Sequence, residues 1–185
     1  MLKWMYIQGV HEEKGRISSI LSEQLDKRIT DFEKWSSINE LANLTLSEIQ
    51  QSFFKEIEDS GNEWVVIARS LGGGVALVSP HESVKRLVLL APAVQFGEED
   101  KFHENTQLKH LSSFFDNVVT KEFIKKHKKP ILIIHDRKDK KIPFVNSQKI
   151  ANSCSNITLV ESEQGHEFTN LEEVSEIIKS WITSL

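Results

Sequence analysis

The sequence predicts an α/β fold: a three-layer α/β/α sandwich built on a mostly parallel sheet of about six strands. Two observations predict it. Short, continuously apolar runs rich in Val and Ile alternate along the chain with segments of helical periodicity. Apolar runs without polar alternation are typical of strands buried on both faces, as in a parallel sheet. Alternation of strands and helices then favours right-handed crossovers, which place helices on both faces of the sheet.

Five apolar runs are the clearest strand candidates, at residues 4–7, 64–68, 84–90, 131–134 and 157–160, and residues 28–32 form a weaker sixth candidate. Between them, apolar residues spaced three and four apart mark a helical face at Ile17, Ile20, Leu21 and Leu25. Capping-box signatures mark the starts of two more helices, at Thr45 with Glu48 and at Thr169 with Glu172. Pro143 is expected to open another helix that runs to about residue 153.

The 185 residues are expected to form one domain, because this length falls within the usual range for a single core. Residues 94–129 interrupt the regular alternation with about 35 residues between two strands. Two interpretations stay open for this segment: a small cap over the strand ends, or an extended crossover.

Composition and charge exclude several classes of function. A net charge of −4 gives no broad basic footprint for nucleic acid, and the basic run from Lys125 to Lys129 is interpreted as a solvated helix end. The single cysteine allows no internal disulfide and no C-x-x-C zinc pattern. No apolar run reaches membrane length, so we expect a cytoplasmic protein without a membrane span.

The most informative segment is residues 64–74, where a strand of bulky apolar residues runs into Ala68-Arg69-Ser70-Leu71-Gly72. A serine hydroxyl is a weak nucleophile, and a sharp turn from strand to helix lifts it to where a base and a substrate can reach it. The neighbours two positions away must be small, as Ala68 and Gly72 are. The following glycines disfavour a helix, so they indicate either a functional turn or close packing of the helix on the sheet.

In this A-x-S-x-G motif between a strand and a helix, the chain resembles the α/β-hydrolase family at its short end. The resemblance spans nearly the whole chain and implies a minimal α/β-hydrolase fold with strand order 2-1-3-4-5-6. It also implies a catalytic triad in the chain order serine, acid, histidine. Ala68 stands where glycine is commonest in the family.

The resemblance implies His166 as the base and Asp139 as the acid. His166 follows Gly165 after the last strand, and histidine can take and return a proton near neutral pH. Residues 131–143 are similar to the family's strand followed by H-G-x-x-D-x-x-V-P, which aligns Asp139 with the acid and leaves Asp136 as the second candidate. His135 is expected to order the acid loop.

The resemblance also implies an oxyanion hole formed by two backbone N–H groups, those of Leu71 and Val10. The second donor lies in the loop after the first strand, where Gln8 replaces the family's histidine.

These features together predict a serine hydrolase that cleaves a carboxylic ester or thioester through an acyl-enzyme on Ser70. Its partner would be a small-molecule acyl substrate, and no metal or organic cofactor is expected. Because Gln8 and Ala68 depart from the family pattern, a second hypothesis is a catalytically degenerate hydrolase that acts as a binding or regulatory protein. A nucleotide-binding domain is disfavoured, since residues 71–74 lack both the Walker ending and the dinucleotide glycine spacing.

Overall fold

The computed structural model describes residues 1–9, 12–32, 40, 44–94 and 124–185. Within them, six strands form one parallel sheet in the order β2-β1-β3-β4-β5-β6, which confirms the predicted fold class and strand order. The strands are β1 (Leu2–Ile7), β2 (Ile29–Asp31), β3 (Glu63–Arg69), β4 (Val84–Leu90), β5 (Ile131–Asp136) and β6 (Ile157–Ser162).

Helices cover both faces of this sheet, because successive strand residues point to opposite sides. The helices are α1 (Arg16–Leu25), α2 (Leu46–Asp59), α3 (Ser70–Leu77), α4 (Phe144–Ala151) and α5 (Leu171–Thr183). Apolar residues of α1 and α5 share one core cluster with Trp4, Tyr6, Val65 and Ile67. Residues of α2, α3 and α4 share the other cluster with Met5, Ile7, Val66 and Ala68. The three-layer sandwich is therefore confirmed.

The starts of α2 and α5 can be compared with the two predicted capping boxes. Thr45 forms the predicted capping box, since its Oγ1 accepts a hydrogen bond from the Glu48 N–H at 3.2 Å. The second predicted capping box is wrong by one residue: α5 is capped by Asn170, not by Thr169. Asn170 Oδ1 accepts a hydrogen bond from the Glu173 N–H at 3.2 Å.

The backbone at Asn170, and not the buried face of α5, sets the position of the cap. Leu171, Val174 and Ile178 form that face at spacings of three and four, but this face is compatible with either cap. Asn170 itself has non-helical backbone angles, φ −109° and ψ 84°, and its N–H donates a hydrogen bond to Gln164 Oε1 at 2.8 Å, so the helix begins at Leu171. In α4, Pro143 lies just before the helix, which begins at Phe144 and ends at Ala151.

Strand register aligns the carboxyl ends of the strands at one edge of the sheet. Ile7 pairs with Ala68, and Arg69 pairs with Leu90. Consequently, the loops after β1, β3, β5 and β6 all leave the sheet at this edge, where sites form in open α/β folds. Residues 95–123 lie outside the described part of the chain, so the choice between a cap and a long crossover at residues 94–129 stays a prediction. Across the described helices, none has the length and apolarity to cross a membrane.

Candidate active site

Ser70 lies in a strained turn between β3 and α3. Its φ of 50° is in the left-handed region, which costs a non-glycine residue roughly 1–2 kcal/mol. β3 is buried from Trp64 onward and Ser70 itself is half-buried. The Ser70 carbonyl accepts a hydrogen bond from the Ala93 N–H at 2.7 Å, which ties the turn to the segment that follows β4. The backbone therefore holds the Ser70 side chain at the carboxyl edge of the sheet.

Glycine is required next to this turn because α3 packs closely on the end of β1. A Cβ at Gly72 would lie 2.5 Å from the carbonyl oxygens of Ile7 and Gln8. A Cβ at Gly9 would lie 3.2 Å from the Ser70 Cβ. Of the two interpretations of the glycine run, close packing is therefore observed directly at Gly72. The same packing brings the loop after β1 beside Ser70.

The structure brings the three predicted side chains together from three separate loops. His166 Nε2 lies 3.1 Å from Ser70 Oγ, within hydrogen-bonding distance. On the other side of the imidazole ring, Nδ1 lies 2.8 Å from Asp139 Oδ2. A continuous hydrogen-bonded chain thus runs from hydroxyl to imidazole to carboxylate, in the geometry by which a base and its carboxylate activate a serine.

Asp139 is held in its ionised form. Its side chain is fully buried, and burial alone would raise the pKa of this carboxyl group. Hydrogen bonds from His135, from His166 and from the Ile142 N–H outweigh burial and hold the pKa of Asp139 well below its usual range. A permanently ionised carboxylate at this place fixes Nδ1 of His166 as the donor, so Nε2 is the atom that faces Ser70.

The neighbours of Asp139 support the loops around it. His135 Nε2 lies 3.2 Å from both Asp139 Oδ2 and the Ile142 carbonyl oxygen, as expected if His135 orders the acid loop. Asp136, the second candidate for the acid, accepts hydrogen bonds at 2.6 Å from the N–H groups of Gly165 and Lys138. Its carboxylate therefore binds the backbone next to His166 rather than the imidazole.

Of the two predicted oxyanion donors, only Leu71 lies within the described residues. Leu71 is the second residue of α3, where helix geometry leaves backbone N–H groups without an intrahelical acceptor. Val10 lies outside the described residues, so its N–H stays a prediction. Within the described residues, no group of three or more His, Cys, Asp or Glu side chains is arranged to hold a metal ion.

One feature next to Ser70 was not predicted from the sequence: Arg69, which directly precedes Ser70, forms a buried ion pair with Glu12. Arg69 Nη1 lies 2.9 Å from Glu12 Oε2, and each side chain is only 5% exposed. The sequence does contain one sign of this ion pair, because the charged Arg69 ends a strand that is apolar from Trp64 onward. Its partner, 57 positions away, could not be identified without the fold.

The chain is similar in structure to several solved proteins. One is Est1E from Butyrivibrio proteoclasticus, with a TM-score of 0.78 and 18% identity over 99% of this chain and 87% of that one. Another belongs to the metagenome-derived lipolytic enzymes LipS and LipT, with a TM-score of 0.78 and 15% identity over 100% of this chain and 94% of that one.

A third match is MGS-MChE2, an alpha/beta hydrolase enzyme from the metagenome of sediments from the lagoon of Mar Chica, Morocco. Its TM-score is 0.76 and its identity 15%, over 100% of this chain and 92% of that one. The fold is therefore that of the α/β-hydrolases.

No curated protein matches the sequence. The chain belongs to the uncharacterised protein family UPF0227, whose model matches residues 24–183. That match includes Ser70, Asp139 and His166.

Proposed function

We propose that the protein is a serine hydrolase that transfers an acyl group from a carboxylic ester or thioester to Ser70 and then to water. The observation that carries this proposal is the hydrogen-bonded chain from Ser70 Oγ through His166 to Asp139, at 3.1 and 2.8 Å. The fold supports it too, because the solved structures that share this fold include proteins described as lipolytic enzymes and as an alpha/beta hydrolase enzyme.

In the acylation step, Ser70 Oγ attacks the substrate carbonyl carbon while His166 Nε2 accepts the hydroxyl proton. The carbonyl oxygen becomes an oxyanion, which the backbone N–H groups of Leu71 and Val10 would stabilise. The tetrahedral intermediate then collapses, and the protonated His166 gives its proton to the departing alcohol or thiol. Asp139 stays ionised throughout and balances the positive charge on the imidazolium.

Deacylation repeats these steps with water as the nucleophile. His166 takes a proton from the water, the hydroxide attacks the acyl carbon, and collapse of the second intermediate releases the carboxylic acid. The proton returns to Ser70 Oγ. The balance of atoms requires only substrate and water, so the proposed reaction uses no cofactor.

The proposal is tested by labelling with a fluorophosphonate, whose phosphorus reacts with an activated serine and loses fluoride. We expect one label per chain, on Ser70, and none in Ser70→Ala. We also expect hydrolysis of a panel of p-nitrophenyl esters of varied acyl length, with kcat reduced about 10⁶-fold in Ser70→Ala.

Ser153→Ala is the matched control, since Ser153 lies after α4 and its Oγ donates a hydrogen bond to the Ile150 carbonyl at 2.6 Å. This control should label and hydrolyse like the wild type. If folded wild-type protein is not labelled, the proposed hydrolase activity is refuted. The hypothesis of a catalytically degenerate hydrolase that acts as a binding protein is then favoured.

A further inference from the structure

Arg69 immediately precedes the proposed nucleophile, and its guanidinium group is buried. The residue is 4% exposed and ends β3, a strand that is otherwise apolar from Trp64 onward. Burial alone would lower the pKa of Arg69, but the charge of Glu12 and the hydrogen bond to its carboxylate raise it above its ordinary value. The guanidinium is therefore a cation at neutral pH.

One side of the guanidinium faces the loop after β1. Besides binding Arg69, Glu12 Oε2 accepts a hydrogen bond from the Gly9 N–H at 3.1 Å, and Glu12 Oε1 accepts one from the Tyr6 hydroxyl at 2.7 Å. Burial and the nearby charge of Glu12 raise the pKa of Tyr6 well above its ordinary value, so its hydroxyl keeps its proton. Arg69 and Glu12 thus fix the backbone at Gly9, which approaches Ser70 closely.

The other side of the guanidinium faces the loop that carries the base. Arg69 Nη2 donates a hydrogen bond to the His166 carbonyl oxygen at 3.1 Å and another to Glu167 Oε2 at 2.9 Å. Glu167 in turn pairs with Lys141, which belongs to the loop after β5. A planar guanidinium can hold several acceptors in fixed directions at once, which a lysine ammonium group cannot do.

We propose that Arg69 is a positioning residue that holds the His166 loop and the backbone at Gly9 in fixed relation to Ser70. This inference rests on the proposed function. Arg69 acts through the His166 carbonyl and through Glu12, and it does not touch the reacting atoms. Its guanidinium keeps Nε2 of His166 directed at Ser70 Oγ and, through Glu12, keeps the Gly9 backbone at one distance from Ser70.

Four variants separate positioning from simple charge neutralisation. Arg69→Met removes the guanidinium but leaves the Glu12 carboxylate buried without its cation, which destabilises the fold. The double variant Arg69→Met/Glu12→Gln removes both charges, and Glu12→Gln alone removes only the carboxylate. Arg69→Lys keeps the charge and loses the planar fork. Arg28→Met is the control, because Arg28 is exposed.

The measurements are the rate constant and the final extent of fluorophosphonate labelling, together with kcat and KM for one ester. The final extent counts folded, competent molecules, so the rate constant reports only on those molecules. For Arg69→Met we expect the labelling rate constant and kcat to fall about 10²-fold, with KM changed less than about 3-fold, as for a small misplacement of catalytic groups.

The double variant should regain thermal stability while its kcat stays about 10²-fold low. The kcat of Arg69→Lys should lie between those of Arg69→Met and the wild type. Glu12→Gln should lower kcat less than Arg69→Met does, and Arg28→Met should have the kcat of the wild type. Recovery of wild-type kcat in the double variant would overturn the positioning role, since Arg69 would then only neutralise Glu12. An unchanged labelling rate constant in Arg69→Met would also overturn the positioning role.

These outcomes are distinct from a failure of the hydrolase itself. If folded wild-type protein does not label at all, the proposed function is refuted, and the positioning role fails with it. If the wild type labels on Ser70 and every Arg69 variant labels at the same rate, only the positioning role fails.

Discussion

At the scale of single residues, two aspartates three positions apart do different work, and substitution should separate them. Asp139→Asn leaves an amide beside His166 Nδ1, which favours the wrong imidazole tautomer and should lower kcat about 10⁴-fold. Asp136→Asn disturbs only the hydrogen bonds to the backbone of Gly165 and Lys138. We expect it to lower kcat by at most about 10²-fold, as for a small misplacement. Steady-state kinetics with a single ester measure both effects.

Circular dichroism and thermal melting of both variants provide the control, since a comparison of kcat requires that each remains folded. Equal losses of kcat in the two variants would show that Asp139 is not the sole acid. A larger loss in Asp136→Asn would reverse the assignment.

The motif predicted Ser70 as the nucleophile, and the resemblance to the α/β-hydrolase family predicted Asp139 and His166 as its partners; the structure joins these three side chains by hydrogen bonds. The sequence was not enough to find the contacts of Arg69. The position before the nucleophile accepts many residue types in the motif, so Arg69 carries no signal beyond its charge. Its partner Glu12 lies in a different loop, and only the register of β1 with β3 brings the two together.

At the scale of elements, the start of α5 offers a sharp test because two adjacent residues can each serve as its cap. Asn170→Ala should reduce the free energy of unfolding by about 1 kcal/mol, because the Glu173 N–H loses its acceptor. Thr169→Ala should change it by less than about 0.5 kcal/mol, as for an exposed residue outside the helix. Urea unfolding of the two variants measures the difference.

If Thr169→Ala proves the more destabilising variant, the helix begins one residue earlier than the structure has it. The ambiguity is present in the sequence itself. Thr169 with Glu172 and Asn170 with Glu173 are two overlapping cap signatures of the same form. Local pattern cannot choose between them, whereas in the structure the Asn170 N–H is bound by Gln164 Oε1, a contact outside the helix.

At the scale of the whole molecule, Asp139 links the site to the pH dependence of stability. The pKa of this carboxyl group is lower in the folded protein than in the unfolded chain, where it is about 3.9. Ionised Asp139 therefore stabilises the fold at pH values above about 4, and this contribution is lost as the pH falls through the folded-state pKa.

We expect Asp139→Asn to lower the free energy of unfolding by about 2 kcal/mol at pH 7, as for the loss of hydrogen bonds to a charged group. The difference from the wild type should persist at pH 5 and shrink at pH 3. Urea unfolding at these three pH values measures it. A difference that does not depend on pH would mean that hydrogen bonds to the neutral side chain, and not its charge, stabilise the loop.

The four inner strands, β1, β3, β4 and β5, could be predicted because they contain continuous apolar runs, which are typical of strands buried on both faces. Their order in the sheet was predicted from the resemblance to the α/β-hydrolase family. Residues 94–129 could not be predicted in the same way. Their apolar residues are spaced as in a helix, but this periodicity does not distinguish a small cap from an extended crossover.

The left-handed backbone at Ser70 has a consequence for how the sequence would change if no hydroxyl were needed at this position. Glycine adopts this conformation freely, so its substitution for serine would remove strain of roughly 1–2 kcal/mol, against which the freedom of glycine in the unfolded chain costs roughly 0.5–1 kcal/mol. Total stabilities are only about 5–15 kcal/mol, so the remaining gain would matter to natural selection for stability alone. Under the proposed function, a lineage that retains serine here gives up stability for a reactive hydroxyl.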